Sequence, residues 1–251
     1  MLNVTVIGSG NVASHLIKAI TFARGIILKQ VMSRRPESLK DILNISDIVT
    51  SVADLKDADI YIIAVSDNAI EEVSALLPFT GRLVVHTSGA TPMQILNRKN
   101  RRGVFYPLQT FSKLRNIDFL QVPLCLEAEN AEDYVLLQQL AGALSHTIHN
   151  VTSQQRKSLH VAAVFACNFA NHMYTLGSMI CNDENLPFDI LKPLIQETAA
   201  KVKELTPVQA QTGPGVRHDD KTISSHLYYL EDDNLKAVYK LLTQSIQHIH
   251  G

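Results

Sequence analysis

Three observations predict an α/β fold: a doubly wound, mostly parallel Rossmann sheet followed by an all-helical C-terminal domain. An apolar strand at Val4–Gly8, V-T-V-I-G, runs directly into a glycine turn and then a helix-spaced run. Short apolar strands then alternate with helical segments as far as Val151. From Ser153 onward only helical periodicity remains. The domains are therefore set at residues 1–151 and 152–251.

The first element carries the strongest signal. Gly8-Ser9-Gly10-Asn11-Val12-Ala13 follows the strand and opens the helical run S-H-L-I-K-A-I. Strand, glycine turn and helix in this order form a dinucleotide fingerprint. Gly8 permits a tight turn, Gly10 lets backbone approach a pyrophosphate, and Ala13 allows close helix–strand packing. The N–H groups opening the helix at Asn11 and Val12 would face the phosphates, favoured by the helix dipole. The cofactor-binding candidates here are Gly8, Ser9, Gly10, Asn11 and Val12.

Ile26–Met32 is the second strand, Pro36–Leu39 opens a short helix with Pro near its first position, and Ile48–Thr50 is a brief third strand. Asp59–Val65, D-I-Y-I-I-A-V, is the continuous apolar run expected of a strand buried on both faces. A helix over Ala69–Leu77 and strands at Leu83–His86 and Gly103–Tyr106 follow. A further unit comprises strand Pro123–Glu127, helix Ala131–Leu144 and strand His146–Asn150. The helical part reads as Ser153 to about Met179 in one long helix, then Pro187 or Phe188 to Leu205, Asp219–Leu230 and Leu235–Ile249. Pro207–Arg217 is a turn-rich connection.

The second strand ends in Ser33-Arg34-Arg35, where NAD-binding sheets usually carry Asp or Glu for the ribose hydroxyls. Guanidinium groups pair with a 2′-phosphate and a serine hydroxyl adds a donor, whereas an acid would repel it. The expected cofactor is NADP(H), held by Ser33, Arg34 and Arg35. The alternative is that two arginines at a strand end are merely solvated. Two further strand ends, Val65-Ser66-Asp67 and His86-Thr87-Ser88-Gly89-Ala90, should line the cofactor, because ligands sit at the carboxyl ends of parallel strands. They contribute Val65, Ser66, Asp67, Thr87 and Ser88. Their alternative is that of ordinary turn formers before helices.

Composition excludes several classes. The net charge of −1 provides no basic field for nucleic acid, and the absence of Trp argues against a base-stacking platform. Cys125, Cys167 and Cys181 are odd in number and lack metal spacing, so reduced thiols in a cytoplasmic protein are expected. No metal is assigned. No apolar run reaches transmembrane length and no cleavable leader precedes the first strand, so no membrane partner is expected.

Hydride chemistry belongs to the cofactor, while the protein supplies orientation and a proton. On the long helix Lys157, His160, Val164, Asn168, Asn171 and Thr175 fall on one face at 100° per residue. His160 is the candidate proton donor, since a free imidazole titrates near neutrality. Asn168 would orient a carbonyl or imine, and Ser88 offers a hydroxyl near the nicotinamide. Arg217 could hold a substrate carboxylate, steadied by Asp219 or Asp220. The alternatives are a solvated stripe for the helix, and for the loop a surface connection in which Asp219 caps the next helix.

V-I-G-S-G-N-V-A with S-R at the second strand resembles the nucleotide domain of pyrroline-5-carboxylate reductase and of the deazaflavin-dependent NADP reductases. H-T-S-G-A at His86–Ala90, G-V-F-Y-P-L-Q-T-F-S at Gly103–Ser112 and T-G-P at Thr212–Pro214 resemble a bacterial group of provisionally assigned NADP oxidoreductases with a helical C-terminal domain of unassigned function. The resemblance implies a fold like 6-phosphogluconate dehydrogenase, homodimers made through the helical domain, and cofactor contacts at the glycine turn, Ser33 and Arg34. Pyrroline-5-carboxylate reductase carries T-S-P-G-G-T-T at its substrate. Here Thr212, Pro214 and Gly215 match that stretch, but Val216–Lys221 depart from it. The expectation is an NADP(H)-dependent oxidoreductase acting on a small polar substrate (a 2-oxo acid, imine or hydroxy acid). The alternative is a non-catalytic NADP-binding sensor or partner-binding protein.

Overall fold

In the computed structural model, which describes residues 1–251, β1 (Leu2–Ile7) lies between two parallel neighbours, β2 (Ile26–Met32) and β4 (Ile60–Ile63). β3 (Ile48–Val49) pairs outside β2. β5 (Leu83–His86), β6 (Arg101–Pro107), β7 (Leu124–Ala128) and β8 (Ile148–Asn150) continue outward from β4. The order is β3-β2-β1-β4-β5-β6-β7-β8, and only the β6–β7 pair is antiparallel. The chain winds outward to β3 and then restarts beside β1. That reversal opens a crevice at the carboxyl ends of β1 and β4, where doubly wound sheets take their ligands.

Both faces of the central strands are covered, which is why they read as unbroken apolar runs. Val4, Val6, Ile60, Ile62 and Val85 enter one core, while Ile7, Tyr61, Ile63 and Val84 enter the other. Helix α1 (Asn11–Phe22) buries Ala13, Leu16, Ile17 and Ile20 in the first core. Helix α3 (Ala131–Leu144) buries Leu137, Leu140, Ala141 and Leu144 in the same core. Each set has the spacing i, i+3, i+4, i+7 of a single helical face. Each buried Leu or Ile contributes about 1.5–3 kcal/mol by leaving water. Helix α2 (Ile70–Leu76) packs Ile70 into the opposite core.

By contacts the chain divides into two compact units, residues 1–167 and 168–251. Helix α4 (Ser153–Ala163), capped by a reciprocal Thr152–Gln155 box, belongs to the first. The expected single helix from Ser153 does not continue as α-helix. A π-helical stretch over Val164–Phe169 intervenes before α5 (Ala170–Asp183). Its wider i→i+5 bonding adds residues per turn, so the 100° repeat that aligned His160 with Asn168 and Thr175 is broken. No Gly or Pro marks this stretch, so local sequence rules could not find it.

In the second unit, the helix expected from Pro187 or Phe188 opens as a 3-10 turn and becomes α-helical only later. Phe188–Leu191 is a 3-10 turn, and α6 (Lys192–Lys201) begins with Pro193 in its first turn, where a missing N–H costs nothing. The turn-rich connection contains a four-residue helix, α7 (Pro207–Ala210). Helices α8 (Asp220–Tyr229) and α9 (Asp233–His250) are capped by Asp219 and Asp232. The core of this unit is small: Leu176, Leu230 and Leu235, with Met173, Ile180, Val238 and Tyr239 around them.

Gly8 ties the crevice to the sheet. Its φ is +134°, and a Cβ there would lie 2.1 Å from the Ala64 carbonyl oxygen at the end of β4. Gly8→Ala therefore combines backbone strain with an unrelievable clash against backbone. The substitution is expected to lower unfolding stability by about 2 kcal/mol or more, read as a shift in denaturant midpoint. An unchanged midpoint would contradict this account of the turn.

Candidate functional site

The glycine turn leaves room where a ligand must come close. A Cβ on Gly10 would meet nothing within 4 Å. Gly10 is also the N-cap of α1, and no side chain caps the helix there. Its first N–H groups, from Asn11, therefore face outward with the positive end of the dipole. No acidic residue occupies the first turn. Asn11 has a further task that its place in the motif did not reveal: its side-chain amide donates to the Phe111 carbonyl at 3.0 Å. One turn on, His15 Nε2 lies 3.0 Å from the Ser112 carbonyl oxygen, and its ring stacks obliquely on Phe111. The segment after β6 is thereby fastened across the start of α1.

At the end of β2 the Ser33 hydroxyl donates to Ser9 Oγ at 2.8 Å and accepts from the Arg35 N–H at 3.0 Å. The two strand ends of the expected pyrophosphate and ribose sites are thus joined. Arg34 and Arg35 are exposed and make no ion pair. At the end of β4, Val65 is half-buried, while Ser66 and Asp67 are exposed. Uncapped helix, open Gly10 and unpaired guanidinium groups at one crevice form a donor set suited to a phosphorylated dinucleotide.

The segment after β5 departs from expectation. The Ser88 hydroxyl accepts from the N–H groups of Ala90 (3.2 Å) and Thr91 (3.0 Å) and donates to Thr91 Oγ1 at 2.9 Å. Ser88 therefore builds its own turn, and its hydroxyl is already committed. His86 is fully buried. Its Nδ1 accepts from the Ser88 N–H at 3.1 Å, and Nε2 has no hydrogen-bonded partner. Burial, reinforced by the Arg156 charge, pushes its pKa down to about 3, so it remains neutral.

Arg156 of α4 was not among the sequence candidates, and it organises this region. It is fully buried. Its guanidinium pairs with Glu127 of β7 and donates to the carbonyls of Ser88 (3.2 Å) and Thr91 (2.7 Å) and to Ser153 Oγ (3.1 Å). Ser153 in turn donates to Glu127 at 2.8 Å. One turn further along α4, His160 is half-buried, with Nδ1 lying 3.3 Å from the hydroxyl of Tyr106. Tyr106 stands on β6, and burial pushes its pKa up to about 12. Both groups occupy the space beside Gly89, so that backbone is covered, not open. Tyr106 lay within a motif already singled out, but only the fold brings it to His160.

Asn168 and Arg217 fall in the second unit and are exposed. Arg217 forms no ion pair, and Asp219 caps α8 through the Thr222 N–H at 3.1 Å. The capping alternative for Asp219 is thus realised. His218 beside it has a φ of +50°.

With this geometry in place, comparisons identify the family. Residues 3–89 match the family described as NADP oxidoreductase, coenzyme F420-dependent, and residues 122–246 match a domain of unknown function (DUF2520). A Bacteroides fragilis protein provisionally described as an NADP oxidoreductase is 41% identical over 98% of both chains, with a TM-score of 0.87. The chain belongs to this family, which joins an NADP oxidoreductase domain to a C-terminal domain of unknown function. A Thermotoga maritima protein shares the fold at 18% identity over 98% of both chains and a TM-score of 0.76. So does a Myxococcus stipitatus imine reductase variant, solved with NAD+, at 18% identity over 100% of this chain and 96% of its own, with a TM-score of 0.61. No curated protein matches the chain in sequence. No helix is long and apolar enough to cross a membrane.

Two outcomes are expected from this geometry. Glu127→Ala strands the buried Arg156 charge and should cost about 3–5 kcal/mol of stability; a loss below about 1 kcal/mol in denaturant melts would show that Arg156 finds another partner. The unfolded chain protonates His86 near pH 6.5, but the folded chain resists protonation down to about pH 3. Stability contributed by neutral His86 is therefore full above pH ~6.5 and falls as pH drops from there towards about 3. His86→Asn, whose side-chain oxygen can accept from the Ser88 N–H, should flatten this acid slope, whereas parallel slopes in pH-dependent melts would exclude His86 as its source.

Proposed function

We propose that this protein is an NADP(H)-dependent oxidoreductase acting on a small polar substrate bearing a carbonyl or imine, such as a 2-oxo acid, with the corresponding hydroxy acid in the reverse direction. The observation that carries the reading is the crevice at β1, β2 and β4. There an open Gly10, an uncapped helix and two unpaired arginines meet, and no acid stands at the end of β2. Gly8, Ser9, Gly10, Asn11 and Val12 would hold the pyrophosphate. Arg34 and Arg35 would hold the 2′-phosphate, with Ser33, whose hydroxyl bonds to Ser9 and to the Arg35 N–H, setting the strand end beneath it, and with Val65, Ser66, Asp67 and Thr87 along the nicotinamide half.

When bound, the nicotinamide supplies or accepts hydride; the residues of the chain hold the reactants and move the proton. His160 is assigned the proton transfer, because it is the partly accessible imidazole beside the strand ends. Ser88 serves through its backbone, which Arg156 holds in place, and not through its hydroxyl. Asn168 and Arg217 remain assigned to substrate orientation and carboxylate binding, in keeping with their free side chains. The fold shared with imine reductases agrees with an imine or carbonyl acceptor but does not by itself select one.

We also propose that the protein works as a homodimer through its helical unit, in the cytoplasm, where its three free thiols stay reduced. Leu194, Leu241 and Ile249 are each more than 60% exposed, and such apolar surface calls for cover by a second copy.

Arg34→Ala should weaken NADPH binding about 10-fold or more, worth at least ~1.4 kcal/mol, and leave NADH binding nearly unchanged. Isothermal titration with both cofactors checks this, and equal losses for the two would remove the 2′-phosphate assignment. His160→Gln should abolish NADPH oxidation against a carbonyl and imine panel while preserving NADPH affinity. Tight NADPH binding by the intact protein with no oxidation of any panel member would favour the sensor reading.

A further inference from the structure

Gly89 has no left-handed backbone, so the turn itself does not demand glycine. Space demands it. A Cβ there would lie 2.7 Å from Nδ1 of His160, 2.7 Å from Cζ of Tyr106 and 2.8 Å from its hydroxyl oxygen. A phenol from β6 and an imidazole from α4 thus meet over a missing side chain. The hydroxyl stands 3.3 Å from Nδ1, and the rings are edge-on with centres 6.3 Å apart. The charged and titratable groups acting on Tyr106 are Arg156, Cys125 and Asp67. Burial dominates over all three and keeps the phenol protonated, with its pKa pushed up to about 12. A phenol hydroxyl can donate or accept; with the phenol donating, Nδ1 is the acceptor and the ring hydrogen lies on Nε2.

We propose that Tyr106 acts through His160: its hydroxyl donates to Nδ1, holds the imidazole in the Nε2–H form, and so makes Nε2 the atom that gives a proton to the substrate. The proposal rests on the oxidoreductase reading for its substrate and narrows it. The acceptor atom must offer a lone pair, as a ketone oxygen or a neutral imine nitrogen does. An N,N-dialkyl iminium ion has none to offer. As the dihydronicotinamide reduces the acceptor carbon, the Nε2–H bond breaks with its electron pair left on the ring, and a bond from hydrogen to the acceptor atom forms. The Tyr106 proton passes to Nδ1 as the Nε2 proton leaves, and the phenolate formed takes a proton from water, which leaves as hydroxide to the solvent. Tyr106 is thus a positioning residue that also replenishes the proton of His160.

The first test needs no turnover. Protein labelled with 15N-histidine is examined by long-range 15N–1H NMR at mildly alkaline pH, with His160 identified by the signal lost in His160→Gln. The expected spectrum shows Nε2 protonated and Nδ1 bare. Tyr106→Phe, which preserves the packing, moves the Nδ1 resonance downfield, and Gly89→Ala, which wedges the pair apart, does the same. A protonated Nδ1 in the intact protein, or an Nδ1 resonance indifferent to Tyr106→Phe, overturns the proposal. The second test is kinetic. Tyr106→Phe should lower kcat for ketones and neutral imines about 10- to 100-fold with little change in KM. Reduction of an N,N-dialkyl iminium, which requires no proton, should be spared. Equal losses on both substrate types overturn the proton role. If the intact protein reduces no panel member, the oxidoreductase reading falls, and the NMR result alone still decides the placement of the proton.

Discussion

The buried pairing of Arg156 with Glu127 is the interaction on which the rest of the candidate site depends. It joins three elements that are remote in sequence: β7 through Glu127, the turn after β5 through the Ser88 and Thr91 carbonyls, and α4 through Arg156 itself. Such a pair adds little net stability, because removing two charges from water offsets most of their attraction. Its contribution is geometric. A guanidinium with every arm engaged fixes the azimuth of α4, and His160, one turn later, is thereby set against Gly89 and Tyr106. The same charge helps to keep His86 neutral behind the turn.

The nucleotide half rests on a different constraint, the sheet reversal beside β1. Because β4 returns next to β1, the ends of both strands crowd together, and Gly8 gives way to the Ala64 carbonyl. The ladder continues past the strand ends: Gly8 donates to the Met32 carbonyl, Ser33 to Val49 and Thr87 to Ile63. These bonds hold the glycine turn, the serine–arginine pair and the H-T-S-G-A turn in one line. The proposed cofactor site therefore lies along the rigid edge of the sheet, and the proposed proton donor sits beside it, between β6 and α4.

Much of the fold was legible in the sequence because its signals are local. The face of α1 at Ala13, Leu16, Ile17 and Ile20 and the bounds of α3 follow from periodicity and capping alone, and Asp59–Val65 announced a doubly covered strand. Two features left no such local trace. The π-helical stretch at Val164–Phe169 carries no breaker residue, so helical phase computed across it drifts. In the sequence Ser88 reads as a free hydroxyl, because composition cannot reveal that Ala90, Thr91 and Arg156 already engage that residue.

What the sequence by itself determined is the motif at the proposed cofactor end: G-S-G-N-V-A on a strand–turn–helix, and S-R-R in place of an acid. A phosphate site made from consecutive backbone and neighbouring strand ends leaves a contiguous trace. Only the tertiary structure decided the chemistry end. Gly89, Tyr106, Glu127 and the α4 pair Arg156 and His160 lie on four separate segments, and no spacing rule links one segment to the next. They meet because sheet order places β5, β6 and β7 side by side and a buried charge pins α4 across them.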